Sequence, residues 1–192
     1  MTAVPAEAGK SSFDLIDREA FFAALPLGSV RRALDLGCGV GNYTLPLAAH
    51  LPPGATVHGV DLWEEGVGRL LRAAGERGLG NVTAHAGDLA RLEAVPDAAV
   101  DLALMATILH DLAERGEAPG ALAEAARVLR PGGWLAVVEF KKIPTERGPP
   151  VAIRLSPLDL AALAAPAGFA ERGVVDLGPS VYLALFEREP GG

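Results

Sequence analysis

The sequence predicts an α/β fold, a doubly wound and mostly parallel sheet of seven strands that ends in an antiparallel hairpin. Three observations carry this. From Arg31 onward, strand-like and helix-like stretches alternate, the pattern of a parallel sheet with helices on both faces. The stretch 100–105, Val-Asp-Leu-Ala-Leu-Met, is nearly all apolar, as a strand buried on both faces is. Near the end, Val174 to Leu177 and Tyr182 to Glu187 are joined only by a turn containing Gly178-Pro179-Ser180. That is too little chain for a helical crossover, so the two strands pair antiparallel.

The elements follow in order. Residues 1–12 read as a loose tail. Phe13 to Leu27 has apolar residues at 13, 16, 20, 21 and 25 and an N-cap in Asp17, so it reads as an amphipathic helix ended by Pro26 and Gly28. Strands are expected at 31–36, 55–60, 82–86, 100–105 and 134–140. Helices are expected at 42–50, 64–77 and 119–130, with a short turn near 88–93. Ser156-Pro157-Leu158-Asp159 opens one more helix, with Ser as N-cap and Pro at the first helical position, and Gly168 closes it. No internal repeat is evident.

Composition narrows the function. The 192 residues match about one domain, and half of them are hydrophobic, which is ample for a core. A net charge of −7 argues against non-specific nucleic-acid binding. No apolar run reaches the roughly 18 residues of a membrane span. Met1 to Lys10 lacks the basic start and apolar stretch of a signal peptide. The single Cys38 excludes an internal disulfide and a cysteine-rich metal site, and His50, His58, His85 and His110 show no ligand spacing. The expectation is a cytoplasmic enzyme without a metal, a monomer or homodimer.

The chemistry is concentrated after the first strand. Arg31 to Leu36 feeds a turn with glycines at 37, 39 and 41, and a helix pattern begins at once. Such a turn brings backbone close to a ligand and presents the free N–H groups of a helix start. Asp35 lies two residues before the first glycine. A carboxylate there repels a pyrophosphate and welcomes a cation. The third glycine also comes one position early for the dinucleotide pattern GxGxxG. The run Asp35-Leu36-Gly37-Cys38-Gly39-Val40-Gly41 resembles the first motif of class I S-adenosylmethionine-dependent methyltransferases, and a plain strand–helix turn is the structural alternative.

The resemblance implies a Rossmann-like fold over residues 31–187, and roles for particular residues. Asp35, Gly37, Cys38, Gly39, Gly41 and Asn42 would hold the amino-acid end of S-adenosyl-L-methionine, which carries an ammonium and a sulfonium. Asp61 ends the second strand, where an acid accepts both ribose hydroxyls or, alternatively, caps the next helix; Leu62 follows it. In Gly87-Asp88-Leu89, Asp88 would accept the adenine amino group and Leu89 would donate a backbone N–H, though Asp88 also suits a plain turn cap. Met105 and Ala106 would lie along the methionine portion. Ala125-Ala126-Arg127-Val128-Leu129-Arg130-Pro131-Gly132-Gly133-Trp134-Leu135 is a second match, a fold marker without chemistry. It is most similar to the branch that includes ubiquinone and menaquinone biosynthesis methyltransferases. Residues 1–30 then form a tail and helix covering the active site, and 31–192 the methyltransferase domain.

The expected reaction is direct displacement of the methyl group by a small-molecule acceptor. Positioning supplies much of such a reaction, roughly 7–11 kcal/mol in favourable cases. An acceptor hydroxyl or acidic carbon needs a base, with His110 the first choice and Glu139 the second; His110 also suits a structural role against the glycine loop. Cys38 reads as a small packing residue, with no base beside it in sequence. Glu139 to Arg154 reads equally as a lid or a solvated loop. As a lid, its positive residues would favour an anionic acceptor. Phe13, Phe21 and Phe22 either close the pocket or pack in the core. Two rival functions are a non-catalytic S-adenosylmethionine-binding module and a nicotinamide-dependent oxidoreductase. Asp35, the early glycine and the hairpin oppose the second.

Overall fold

A computed structural model describes residues 11–190. Five parallel strands, β1 (Arg32–Leu36), β2 (Thr56–Asp61), β3 (Val82–Ala86), β4 (Val100–Ala106) and β5 (Leu129–Phe140), are extended by an antiparallel pair, β6 (Phe169–Asp176) and β7 (Val181–Arg188). The order across the sheet is β3-β2-β1-β4-β5-β7-β6. The chain leaves β1 in one direction for β2 and β3 and returns on its other side for β4 and β5. The crevice beyond the carboxyl ends of β1 and β4 is therefore the switch point at which such sheets bind ligands.

Alternation along the strands builds two cores. On one face Ala33, Val57, Leu102, Leu104 and Val138 pack with α1 (Arg18–Ala24), α2 (Thr44–His50) and α3 (Glu64–Glu76). On the other, Leu34, Val60, Ala103, Met105 and Val137 pack with α4 (Leu109–Glu114), α5 (Ala118–Val128) and α6 (Pro157–Ala164). Among the described residues, no helix is long and apolar enough to cross a membrane.

Most expected elements are present, with instructive differences. Residues 1–10 of the expected tail lie outside the described residues, but Ser12 is buried, its hydroxyl 2.8 Å from that of Tyr43. The first helix begins only at Arg18, because Asp17 caps it by accepting from the Ala20 N–H at 3.0 Å. Residues 88–93 form turns, stitched to α5 by Glu124, which accepts from the Leu92 N–H, and by Arg127, which donates to the Leu92 carbonyl. The helix expected to run to residue 130 stops at Val128. Leu129 already pairs with Val100, and Arg130 to Gly133 bulge out before Trp134 pairs with Leu102. The Pro-Gly-Gly sequence thus makes a bulge in a strand. Ser156 and Asp159 form the reciprocal cap of α6. The six-residue α4 was not anticipated.

Candidate active site

The carboxyl ends of β1, β2, β4 and β5 open into a cavity of about 1130 Å³. That is somewhat above the usual 300–1,000 Å³ of small-molecule sites. One wall is the turn after β1. The N–H groups of Gly37 and Cys38 both donate to the Val60 carbonyl, at 2.8 and 3.2 Å, and the Gly39 N–H donates to Asp61 Oδ2 at 2.8 Å. Asp61 Oδ1 accepts from the Trp63 N–H at 2.8 Å. One carboxylate thus ties the glycine turn to the end of β2 and starts the chain toward α3. Its further lone pairs still suit ligand hydroxyls.

Asp35 shares the α2 face of β1 with Ala33. It is 1% exposed, and the Thr44 hydroxyl donates to its Oδ2 at 2.5 Å. Burial raises its carboxyl to about 7; the Thr44 hydrogen bond opposes this rise and the charge of Asp61 adds to it. The Cys38 thiol is pushed far above its ordinary range, chiefly by burial and then by Asp35 and Asp61. A side chain on Gly59 would meet its sulfur at 2.8 Å, so Cys38 is tightly packed, and its burial disfavours the thiolate.

Asn42, Leu62, Asp88, Leu89 and Ala106 also line the cavity. Asp88 Oδ1 accepts from the Ala90 N–H at 2.9 Å, which shapes the turn after β3. Gly41, Gly87 and Met105 stand off the wall. Gly41 packs beneath Leu70 and Leu45. Gly87 donates to the Asp61 carbonyl. Met105 is fully buried in the opposite core, because alternation along β4 turns it away from the face that Ala106 shares.

His110 and Glu139 are brought together by the pairing of β4 and β5. His110 Nδ1 lies 2.9 Å from both Glu139 oxygens, and the His110 and Phe140 N–H groups donate to the same carboxylate at 3.1 Å. Nδ1 is thereby assigned as the N–H donor. His110 lines the cavity, and its Nε2 lies 3.5 Å from Asp111 Oδ1. Glu139 is fully buried and does not line the cavity. The structure therefore places the second expected base behind the first, where it orients the imidazole.

The segment after β5 differs from an anion-binding lid. Lys141 pairs with Asp176, Lys142 with Asp159 and Arg147 with Asp14. Arg154 is 2% exposed and donates to the carbonyls of Pro149, Lys141 and Ile143, which folds the segment around a buried guanidinium. Its positive charges are all engaged. Arg147, Gly148 and Pro149 still border the cavity, and the Arg147–Asp14 pair joins them to the N-terminal segment. Phe13 lines the cavity edge-on to Tyr43 at 4.9 Å, Phe21 is core, and Phe22 stacks on His50 at 3.6 Å.

Sequence reading missed Ser12, Tyr43 and Thr107. All three border the cavity, and the Ser12 hydroxyl joins the other two at 2.8 and 3.4 Å. Thr107 has φ +52°, a left-handed conformation that is uncommon for a β-branched residue and concentrates at functional sites. Tyr43 carried a signal in lying two residues after the last glycine of the turn; Thr107 carried none.

Residues 33–133 match the family described as a methyltransferase domain. Over 123 residues the chain is 40% identical to an S-adenosyl-L-methionine-dependent Diels-Alderase of Talaromyces variabilis, covering 63% of this chain and 39% of that protein. It is 34% identical over 113 residues to a ubiquinone/menaquinone biosynthesis C-methyltransferase of Geobacter sulfurreducens, covering 57% and 41%. The chain thus spans about two fifths of the length of these curated relatives. Among solved structures, a SAM-dependent methyltransferase from Aquifex aeolicus superposes with a TM-score of 0.83 at 26% identity, covering 96% of both chains.

Proposed function

The chain belongs to the methyltransferase-domain family, and from that premise we propose that it moves the methyl group of S-adenosylmethionine to a small-molecule acceptor, with His110 as the base. The observation that carries the reading is the pairing of a cation-favouring glycine turn with the His110–Glu139 dyad across one cavity. The residues present fit the methyl donor. A side chain on Gly39 would meet nothing within 4 Å, so the backbone there is bare toward the cavity, and Asp35, Asp61 and Asp88 stand along the same wall. When bound, S-adenosylmethionine supplies an electrophilic methyl group on a sulfonium. The turn and its acids hold the charged end. Phe13, Tyr43 and Phe140 exclude water. His110 takes a proton at Nε2 while Glu139 balances the charge the ring acquires. The N-terminal segment and the Arg147–Asp14 pair roof the acceptor side. Small-molecule relatives such as the nocamycin O-methyltransferase of Saccharothrix syringae support the acceptor class.

Thermal melts with S-adenosylmethionine, S-adenosylhomocysteine and NAD test the reading. At a hundredfold excess over Kd a ligand adds about 2.7 kcal/mol, a shift of about 5–10 °C at this length. Shifts with the two sulfur nucleosides alone support it, and a shift with NAD alone sinks it.

Asp35 makes donor binding pH-dependent. Its folded-state carboxyl, raised to about 7, holds a proton that the unfolded chain has already lost above the ordinary carboxylate range. Its contribution to stability is therefore full in acid, falls as pH rises toward 7, and is flat beyond. A cation at the turn favours the ionised form, so affinity for S-adenosylmethionine rises with pH up to about 7 and binding in mild acid releases a proton. Titration calorimetry in two buffers of different ionisation heat reads that proton directly. Asp35→Asn should abolish its release; undiminished release in that variant would assign it to another group.

A further inference from the structure

Among the described residues, seven acidic side chains and three arginines line the cavity. Two of the arginines are committed. Arg115 donates to Glu117 at 2.8 Å, and Arg147 donates to both oxygens of Asp14, at 2.6 and 3.2 Å. Arg18 makes no hydrogen bond or ion pair to a carboxylate among the described residues; its charge acts on Asp14 only at longer range, helping Arg147 to hold that carboxyl below its ordinary value. Its guanidinium lies 4.8 Å over the Phe13 ring, and Phe13 packs edge-on against Tyr43, the residue that follows the glycine turn and Asn42. Two ring contacts therefore link a cation toward the turn, in a cavity whose other described charged side chains are mostly acidic.

We propose that Arg18 anchors the α-carboxylate of S-adenosylmethionine, an assignment that rests on the methyl-donor reading above. The argument is one of charge. The donor carries a sulfonium, an ammonium and one carboxylate, and the ammonium and carboxylate share a carbon. Asp35 and Asp61 attract the two cations and repel the carboxylate. The repelled group sits one carbon from the ammonium, so its counter-charge must stand next to the glycine turn. Arg18 stands there. Stacking on Phe13 uses the face of the guanidinium and leaves its N–H edge for a bidentate carboxylate, which a lysine matches only as a point charge. Arg18 is the first residue of α1, so its pairing with the ligand also draws that helix onto the site.

The test is titration calorimetry of S-adenosylmethionine and decarboxylated S-adenosylmethionine against the wild-type chain, Arg18→Met and Arg18→Lys. Arg18 is exposed, and an unliganded melting temperature equal to wild type shows that each variant folds. Arg18→Met should bind S-adenosylmethionine about tenfold more weakly and the decarboxylated compound as the wild type does, with partial recovery in Arg18→Lys. Equal weakening for both compounds would reveal a packing role for Arg18 and overturn the proposal, as would no weakening for either. A wild-type chain that binds neither compound would overturn the methyl-donor reading itself, a result separate from failure of Arg18 alone.

Discussion

Replacing His110 with Ala should lower kcat by about 10²–10⁴-fold, the usual contribution of a positioned general base, and leave the Kd for S-adenosylmethionine within about twofold. The expectation rests on how the ring is held. The Glu139 carboxylate takes Nδ1 and two backbone N–H groups together. That fixes the tautomer, and in the proposed reaction Nε2 is the atom that gains a proton. Donor contacts lie on the turn after β1 and at the end of β2, so loss of the imidazole should not reach them. Glu139→Gln keeps the shape and removes the charge. It should reduce kcat less than His110→Ala, whereas Glu139→Ala would orphan two buried N–H groups and confound rate with folding. Single-turnover rates with a saturating donor separate the two quantities. Unchanged turnover in His110→Ala would remove the residue from the mechanism and leave it packing against Glu139.

What was legible in the sequence was local. The glycine turn announces itself because positions 37, 39 and 41 all adopt positive φ, a demand that leaves glycines in the chain. Asp61 and Asp88 are read from their places at strand ends, and the antiparallel hairpin from the shortness of its connection. What was illegible depends on register. His110 and Glu139 are 29 residues apart and meet only because β4 pairs with β5. Read alone, each looks like a base; together, the Glu139 carboxylate holds the His110 ring. Met105 was misplaced for a related reason. It neighbours Ala106 in sequence, but the two-residue period of a strand sends them to opposite faces. Whether the cations after β5 belong to a lid that favours an anionic acceptor or to a solvated loop was open in the sequence, because their partners, Asp14, Asp159 and Asp176, come from distant parts of the chain. α4 is too short to show a helical period, and the left-handed Thr107 belongs to a residue type that gives no hint of it.

The glycine turn itself supports the second large effect, because two of its glycines should fail differently. At Gly41, φ is +88° and an added Cβ would lie 2.3 Å from Leu70 Cδ1 and 3.2 Å from Leu45 Cγ. Leu70 is fully buried, so its methyl cannot swing into solvent. Gly41→Ala therefore combines a left-handed alanine with an overpacked core, at about 2–4 kcal/mol. The unliganded melting temperature should fall by about 5–15 °C. At Gly39, φ is +50° and an added Cβ meets nothing within 4 Å. The strain there is limited to the backbone term, about 1–2 kcal/mol, but the new methyl stands on the cavity wall where the ligand would approach. Gly39→Ala should thus melt within several degrees of wild type and bind S-adenosylmethionine at least tenfold more weakly. The paired variants, each melted without ligand and titrated with it, divide one sequence motif into a residue that supports the fold and a residue that clears the ligand's path. If Gly39→Ala binds the donor as well as wild type does, the turn is a connection between β1 and α2, and the donor lies elsewhere in the cavity.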